Sequence, residues 1–90
     1  MESYFTYIIE SEKNKRWYYG HSNDLDRRLI EHNSGQNKST KNKGAWELIF
    51  KRAFDTKIKA NKFELELKKL RNKDYIKIKY QQYFIIDSDK

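Results

Sequence analysis

The run Trp17–Gly35, WYYGHSNDLDRRLIEHNSG, constrains this chain more than any other segment. An aromatic strand ends at Gly20, a few polar residues turn the chain, and a short helix follows. Arg28 and His32 stand one turn apart on that helix and so share a face beside its apolar stripe. These residue types suit chemistry on a phosphate. Arginine carries a permanent charge on a planar fork of donors. Histidine can hold or pass a proton near neutral pH. Tyrosine can donate, accept or, once activated, act as a base. By periodicity alone, a solvated arginine and a surface histidine fit equally well.

The flanking segments supply a small mixed layer. Tyr4 to Glu10 is apolar, aromatic and β-branched, which predicts a first strand. Ser11 to Lys15 is polar and contains Asn14, as a hairpin turn requires, and Arg16 to His21 reads as the second strand. An even hairpin loop places Tyr7 and Tyr18 on one face of the sheet, because side chains alternate with period two. Sheet packing alone also accounts for either tyrosine. Ser22 or Asn23 can cap the following helix, with Asp24 and Asp26 in its first turn. Leu25, Leu29 and Ile30 form its apolar stripe, and Asn33, Ser34 and Gly35 end it. His21, just after Gly20, reads as a turn residue.

Gln36 to Gly44, QNKSTKNKG, has no apolar residue and three lysines. It reads as a basic surface loop, suited to gripping a phosphate backbone or to connecting elements in solvent. Lys38, Thr40, Lys41 and Lys43 are its candidate nucleic-acid contacts. Ala45 to Phe54 reads as a third strand. Asp55 or Thr56 then caps a second helix to about Asn72, whose Ala60, Phe63, Leu67 and Leu70 recur at helical spacing. Glu64 and Lys68 flank that stripe one turn apart. They suit a plain ion pair worth about 0.3–0.5 kcal/mol, or a metal-binding carboxylate at the sheet edge with a lysine beside it. Lys73 to Ile86 alternates at first and then turns apolar; without proline or glycine it reads as a third helix.

Ninety residues support one domain, taken here as 1–90, with a single modest core in which seven Tyr, five Phe and two Trp supply much of the buried area. A net charge of +7 points to a polyanionic partner, above all nucleic acid. No cysteine is present, which excludes disulfides and cysteine-based zinc sites and fits a reducing compartment. The first residues are too short and polar for a signal peptide, and no stretch has the length to cross a bilayer. The expectation is a cytoplasmic protein without a membrane partner. No glycine-rich phosphate loop occurs, and the two histidines lack other ligand types at zinc-like spacing.

Taken in order, several motifs resemble a GIY-YIG nuclease domain, specifically its small single-domain URI or UPF0213-type group. They are Tyr4-Phe5-Thr6-Tyr7-Ile8-Ile9, Tyr18-Tyr19-Gly20, Asn23-Asp24-Leu25 with Arg28, and His32-Asn33-Ser34-Gly35. Trp46-Glu47-Leu48-Ile49-Phe50 and the helix from Ala60 through Glu64 to Lys68 complete the series, over about residues 4–71. Phe5-Thr6-Tyr7 stands where the family name has Gly-Ile-Tyr, and Tyr19 holds the middle of the second motif; both functional tyrosines are kept.

The resemblance implies an α/β (α+β) fold: a three-stranded antiparallel sheet flanked by helices. It implies metal-dependent hydrolysis of a DNA phosphodiester, as in excision-repair incision modules and homing endonucleases, and hence a place in DNA repair or recombination. It implies Tyr7, Tyr18, Arg28, His32 and Glu64 as catalytic residues, with Glu64 the single acidic ligand of Mg2+ or Mn2+. Tyr7 would be the tyrosine that orients or deprotonates the attacking water, its proton passing to a metal-bound hydroxide or to His32. With no appended targeting module in the 90 residues, DNA binding is expected to rest on the chain's own charge, or on a partner protein. The sequence does not separate DNA from RNA. Two other readings fit the residues: a catalytically weak nucleic-acid-binding module of the same fold, and a small basic structural protein.

Overall fold

A computed structural model describes residues 3–36, 41 and 45–85. Three strands, β1 (Tyr4–Ser11), β2 (Trp17–Ser22) and β3 (Trp46–Phe54), form one antiparallel sheet in the order β2-β1-β3. The helices are α1 (Leu25–Asn33), α2 (Lys57–Leu70) and α3 (Lys73–Lys79), and a single 3-10 turn at Gln81–Tyr83 follows.

The first hairpin is built by its polar residues. The Ser11 hydroxyl accepts from the amides of Lys13 and Asn14, and the Asn14 side chain accepts from the amide of Arg16. Lys15 takes a left-handed φ of 62° to close the loop. Glu10 pairs with Trp17 across residues 11–16, an even number, so Ile9 lies opposite Tyr18 and Tyr7 opposite Gly20. Tyr7 and Tyr18 therefore share a face, as the alternation predicts.

The central strand β1 is buried on both faces and sorts its side chains between two small cores. Tyr7, Ile9 and Trp46 pack with Tyr18, Leu48 and the α1 residues Leu25 and Leu29. Ile8 and Phe50 pack on the opposite face with Phe63 and Leu67 of α2, Ile76 of α3, and Tyr80. The buried Thr6 hydroxyl donates to the Ala60 carbonyl at 2.7 Å, pinning α2 to β1. One extra residue in β3, at Ile49 opposite the Ile8–Ile9 step, shifts the register between the strands.

Several local expectations change. Asp24, rather than Ser22 or Asn23, caps α1, accepting from the Arg27 amide at 3.1 Å; the Ser22 hydroxyl instead accepts from the Asp24 amide. Ile30 is exposed: Leu25 and Leu29, four residues apart, already span the contact with the narrow sheet, and Ile30 falls about 100° further round. The second strand reaches His21 as expected and runs one residue further, to Ser22, so the separate reading of His21 as a turn residue does not hold. The third helix is shorter than expected. It ends at Lys79, and Phe84 adopts extended backbone that bridges to Phe50, with the Ile85 amide donating to the Ile49 carbonyl at 2.9 Å. Gly35 takes the left-handed φ of 80° expected after α1. Between α2 and α3, Arg71 is left-handed and the Asn72 side chain caps the next helix by accepting from the Tyr75 amide.

Candidate active site

The site forms where β2 ends, and it draws on both faces of the sheet. On the α1 face, β1 presents Tyr7, β2 presents Tyr18, and α1 presents Arg28 and His32. The Tyr7 hydroxyl lies 2.9 Å from His32 Nε2, and the Tyr18 ring meets the His32 ring edge-on at 4.8 Å. Arg28 hydrogen-bonds the Tyr7 oxygen and donates through Nη1 to Glu31 Oε1 at 2.9 Å.

The proton positions in this cluster follow from what each group can do. Arginine only donates, so the Tyr7 oxygen accepts from Arg28. The single phenolic proton is then left for His32 Nε2, which places the ring proton of neutral His32 on Nδ1. Charge states agree. Burial, with the Arg28 charge adding to it, pushes His32 down to about 4. Burial pushes Tyr7 up to about 12, against the opposing effect of Arg28. Near neutral pH both are uncharged, and Arg28 is the cation of the cluster.

Gly20 makes this arrangement fit. A Cβ at that position would stand 2.5 Å from the Tyr7 hydroxyl oxygen and 2.6 Å from its Cζ. The second motif's glycine is therefore a space reserved for the first motif's tyrosine.

On the α2 face, Glu64 is buried, and both its oxygens are engaged. His21 Nδ1 lies 2.7 Å from Oε1, and Lys68 Nζ lies 2.7 Å from Oε2. His21 joins the two halves of the site. Its ring bonds Glu64 on one side and, with Arg28, lines an open cleft of about 360 Å3 on the other. The Glu64 charge also reaches Tyr7, adding to the upward push on its hydroxyl.

Of the five residues expected at the site, Tyr7, Tyr18, Arg28 and His32 cluster on the α1 face, whereas Glu64 lies on the α2 face and contacts His21 and Lys68 rather than the other four. The ion pair expected of Glu64 and Lys68 forms. Lys68, expected as a nucleic-acid contact, has its ammonium on Glu64. Lys41 is exposed, and Lys38, Thr40 and Lys43 lie outside the described residues. His21 was missed by sequence reasoning. Its signal was the alternation itself: continuing β2 by one residue past Gly20 puts position 21 on the face opposite Tyr18, beside α2.

A divalent cation fits this donor set in one way. Among the described residues no three of His, Cys, Asp or Glu gather into a cage. A single carboxylate suits Mg2+ or Mn2+, which keep several waters and accept substrate phosphate oxygens as ligands. Glu64 Oε2 is already paired with a cation, and that cation sits on a half-exposed, flexible side chain able to withdraw.

The comparisons agree with this geometry. The family model of the GIY-YIG catalytic domain matches residues 3–81. The UPF0213 protein SSP2268 of Staphylococcus saprophyticus is 34% identical over 79 residues, covering 87% of this chain and 95% of that protein. The UPF0213 protein YazA of Bacillus subtilis is 40% identical over 72 residues, covering 79% of this chain and 72% of the relative. The solution NMR structure of the UPF0213 protein BH0048 from Bacillus halodurans superposes with a TM-score of 0.55 at 30% identity, over 90% of this chain and 86% of that one. The relatives' names specify no activity. By sequence, by fold and by the placement of its motif residues, this chain belongs to the GIY-YIG family of nuclease-type domains.

Proposed function

We propose that this protein is a metal-dependent endonuclease that hydrolyses internal phosphodiester bonds in DNA, acting in repair or recombination. One observation carries the reading: His21 contacts Glu64 on one side and shares a cleft with Arg28 on the other. A phosphate in that cleft meets the permanent cation on α1, with His21 between it and the carboxylate on α2.

In the reaction a water oxygen bonds to phosphorus, the bond from phosphorus to the sugar oxygen breaks, the water gives up a proton to solvent, and the departing oxygen takes one up from solvent. Arg28 neutralises charge that builds on the phosphate oxygens. Glu64 would hold Mg2+ or Mn2+, which would supply Lewis acidity to the reaction. Tyr7 is 1% exposed, so its part is to hold Arg28 and orient His32, rather than to meet water as the family resemblance implies. Tyr18 is the partly exposed tyrosine and is the one open to substrate or water. Neutral His32, held by Tyr7, packs edge-on against the Tyr18 ring and fixes its place beside the substrate.

The test is nicking of supercoiled plasmid with Mg2+ or Mn2+ by the wild type, Glu64→Ala and Arg28→Ala, each variant checked for folding by circular dichroism. Nicking that is lost in both folded variants is the expected result. Metal-independent nicking, or nicking retained in Glu64→Ala, refutes the reading. Salt-dependent DNA binding without cleavage of plasmid, branched or single-stranded DNA supports the binding module instead; the +7 charge is common to both readings.

A further inference from the structure

The cleft beside the reaction centre has a lining that reads as a binding subsite in its own right. It is bounded by Tyr4 at the start of β1, His21 and Ser22 at the end of β2, Asn23, and three cations. Arg27 and Arg28 come from α1, and Lys57 comes from the first residue of α2. Among the described residues no carboxylate lines it. Two separate helices therefore deliver positive charge to one concave surface.

The three cations are not equally committed. Arg28 is tied to Tyr7 and Glu31 and faces the reacting group. Arg27 only approaches Asp24 and Glu31 at 3.8 Å, with a side chain that is 62% exposed. Such long, exposed pairs contribute little and yield readily to a better partner. Lys57 is exposed and makes no ion pair among the described residues.

The surroundings give the surface a direction. Asn23 also borders a second depression, lined by Asp24 and Asp26 together with Leu25, Leu48, Phe5 and Lys51. A polyanion leaving the reaction centre meets two carboxylates on that side and two open cations on the other.

We propose that Arg27 and Lys57 form a phosphate-binding subsite that holds the nucleic-acid backbone next to the reacting phosphodiester. The inference rests on the endonuclease reading for the identity of the reacting group. It adds that the substrate carries further backbone phosphate beside the scissile one. The strand is led from Arg28 past Arg27 toward the start of α2. Because the contacts are to backbone, they hold every sequence alike.

The experiment is metal-free binding of a fluorescein-labelled DNA duplex by fluorescence anisotropy, across about 50–200 mM salt. The proteins are wild type, Arg27→Ala, Lys57→Ala, the double variant, and Lys13→Ala on the hairpin as a control. Each single variant should reduce the slope of log affinity against log salt by about one, the double variant by about two, and the control by nothing. Equal reductions on two unrelated sequences are expected. Wild-type slopes in both single variants overturn the proposal, and so does an equal reduction in Lys13→Ala, which reports only bulk charge. Plasmid nicking by the same proteins separates the two readings. Changed slopes with no nicking by the wild type keep the subsite and reject the nuclease. Unchanged slopes with normal nicking do the reverse.

Discussion

Gly20→Ala is the sharpest perturbation of this site, because it adds one methyl group and no charge. The new Cβ would lie 2.5, 2.6 and 3.0 Å from Tyr7 Oη, Cζ and Cε1. Ordinary carbon contacts sit near 3.5–4.0 Å, so the ring must retreat by about 1 Å. It has little room to do so: Tyr7 is 1% exposed, with the Tyr18 and His32 rings at centroid distances of 6.5 and 5.9 Å. Overpacking of this kind costs about 1–3 kcal/mol. A retreat also breaks the 2.9 Å Tyr7–His32 bond, worth about 1 kcal/mol. Gly20 is not in the left-handed region, so alanine adds no backbone strain and slightly stiffens the unfolded chain, offsetting about 0.4–1 kcal/mol. The expected net loss is roughly 2–3 kcal/mol, read from urea unfolding at neutral pH. In a Tyr7→Leu background, which removes the crowded ring, the same substitution should cost less than about 1 kcal/mol. A loss below about 0.5 kcal/mol in the wild-type background, or an undiminished loss in the Tyr7→Leu background, refutes the reserved-space argument.

Three further outcomes are expected. His32 is held near 4 in the fold against about 6.5 when unfolded, so the unfolded chain binds the extra proton between those values. The stability is fully present above about pH 6.5 and is lost as pH falls toward 4, by about 3 kcal/mol at the lower limit; the difference in urea midpoint between wild type and His32→Gln across that window measures it. Lys68→Met removes the cation that occupies Glu64 Oε2. The fold should change by no more than about 0.5 kcal/mol, while Mn2+ binding, followed by paramagnetic broadening of NMR signals near residue 64, should tighten about twofold or more. His21→Asn retains an N–H donor near the Nδ1 position and His21→Gln does not. Urea unfolding should therefore show His21→Gln less stable than His21→Asn by about 1 kcal/mol, with Glu64 left short of a partner.

Much of the architecture could be read from short-range pattern. The apolar, aromatic and β-branched run Tyr4–Glu10, the helical spacing of Ala60, Phe63 and Leu67, and Thr56 before α2 each carry their own signal, and each element forms within one or two residues of its expected place. Tyr7 and Tyr18 were legible as a same-face pair because the hairpin loop fixes register. What failed was decided by partners distant in sequence. His21 is a strand residue because Thr6 pairs with it, and it bonds Glu64, 43 positions away. Ile30 is left in solvent because the narrow sheet has no surface for it. The stretch after Lys79 leaves the helix because β3 offers an unpaired strand edge, a feature that no local window of sequence contains. The Arg27–Lys57 cleft was invisible for the same reason, since its cations come from helices on either side of β3 in the chain.

The pairing of Phe84 and Ile85 with Phe50 and Ile49 has a consequence for the order in which the chain matures. β3 is an edge strand, and its outer backbone groups stay open until the last described residues arrive. During synthesis from the ribosome, the three strands and α2 emerge well before that clasp is made. In that interval the Ile49–Phe50 edge is apolar, extended and unpaired, which is the form that recruits a second strand from another chain. The segment around Phe84, which emerges after the three strands and α2, thus shields this edge of β3 from self-association.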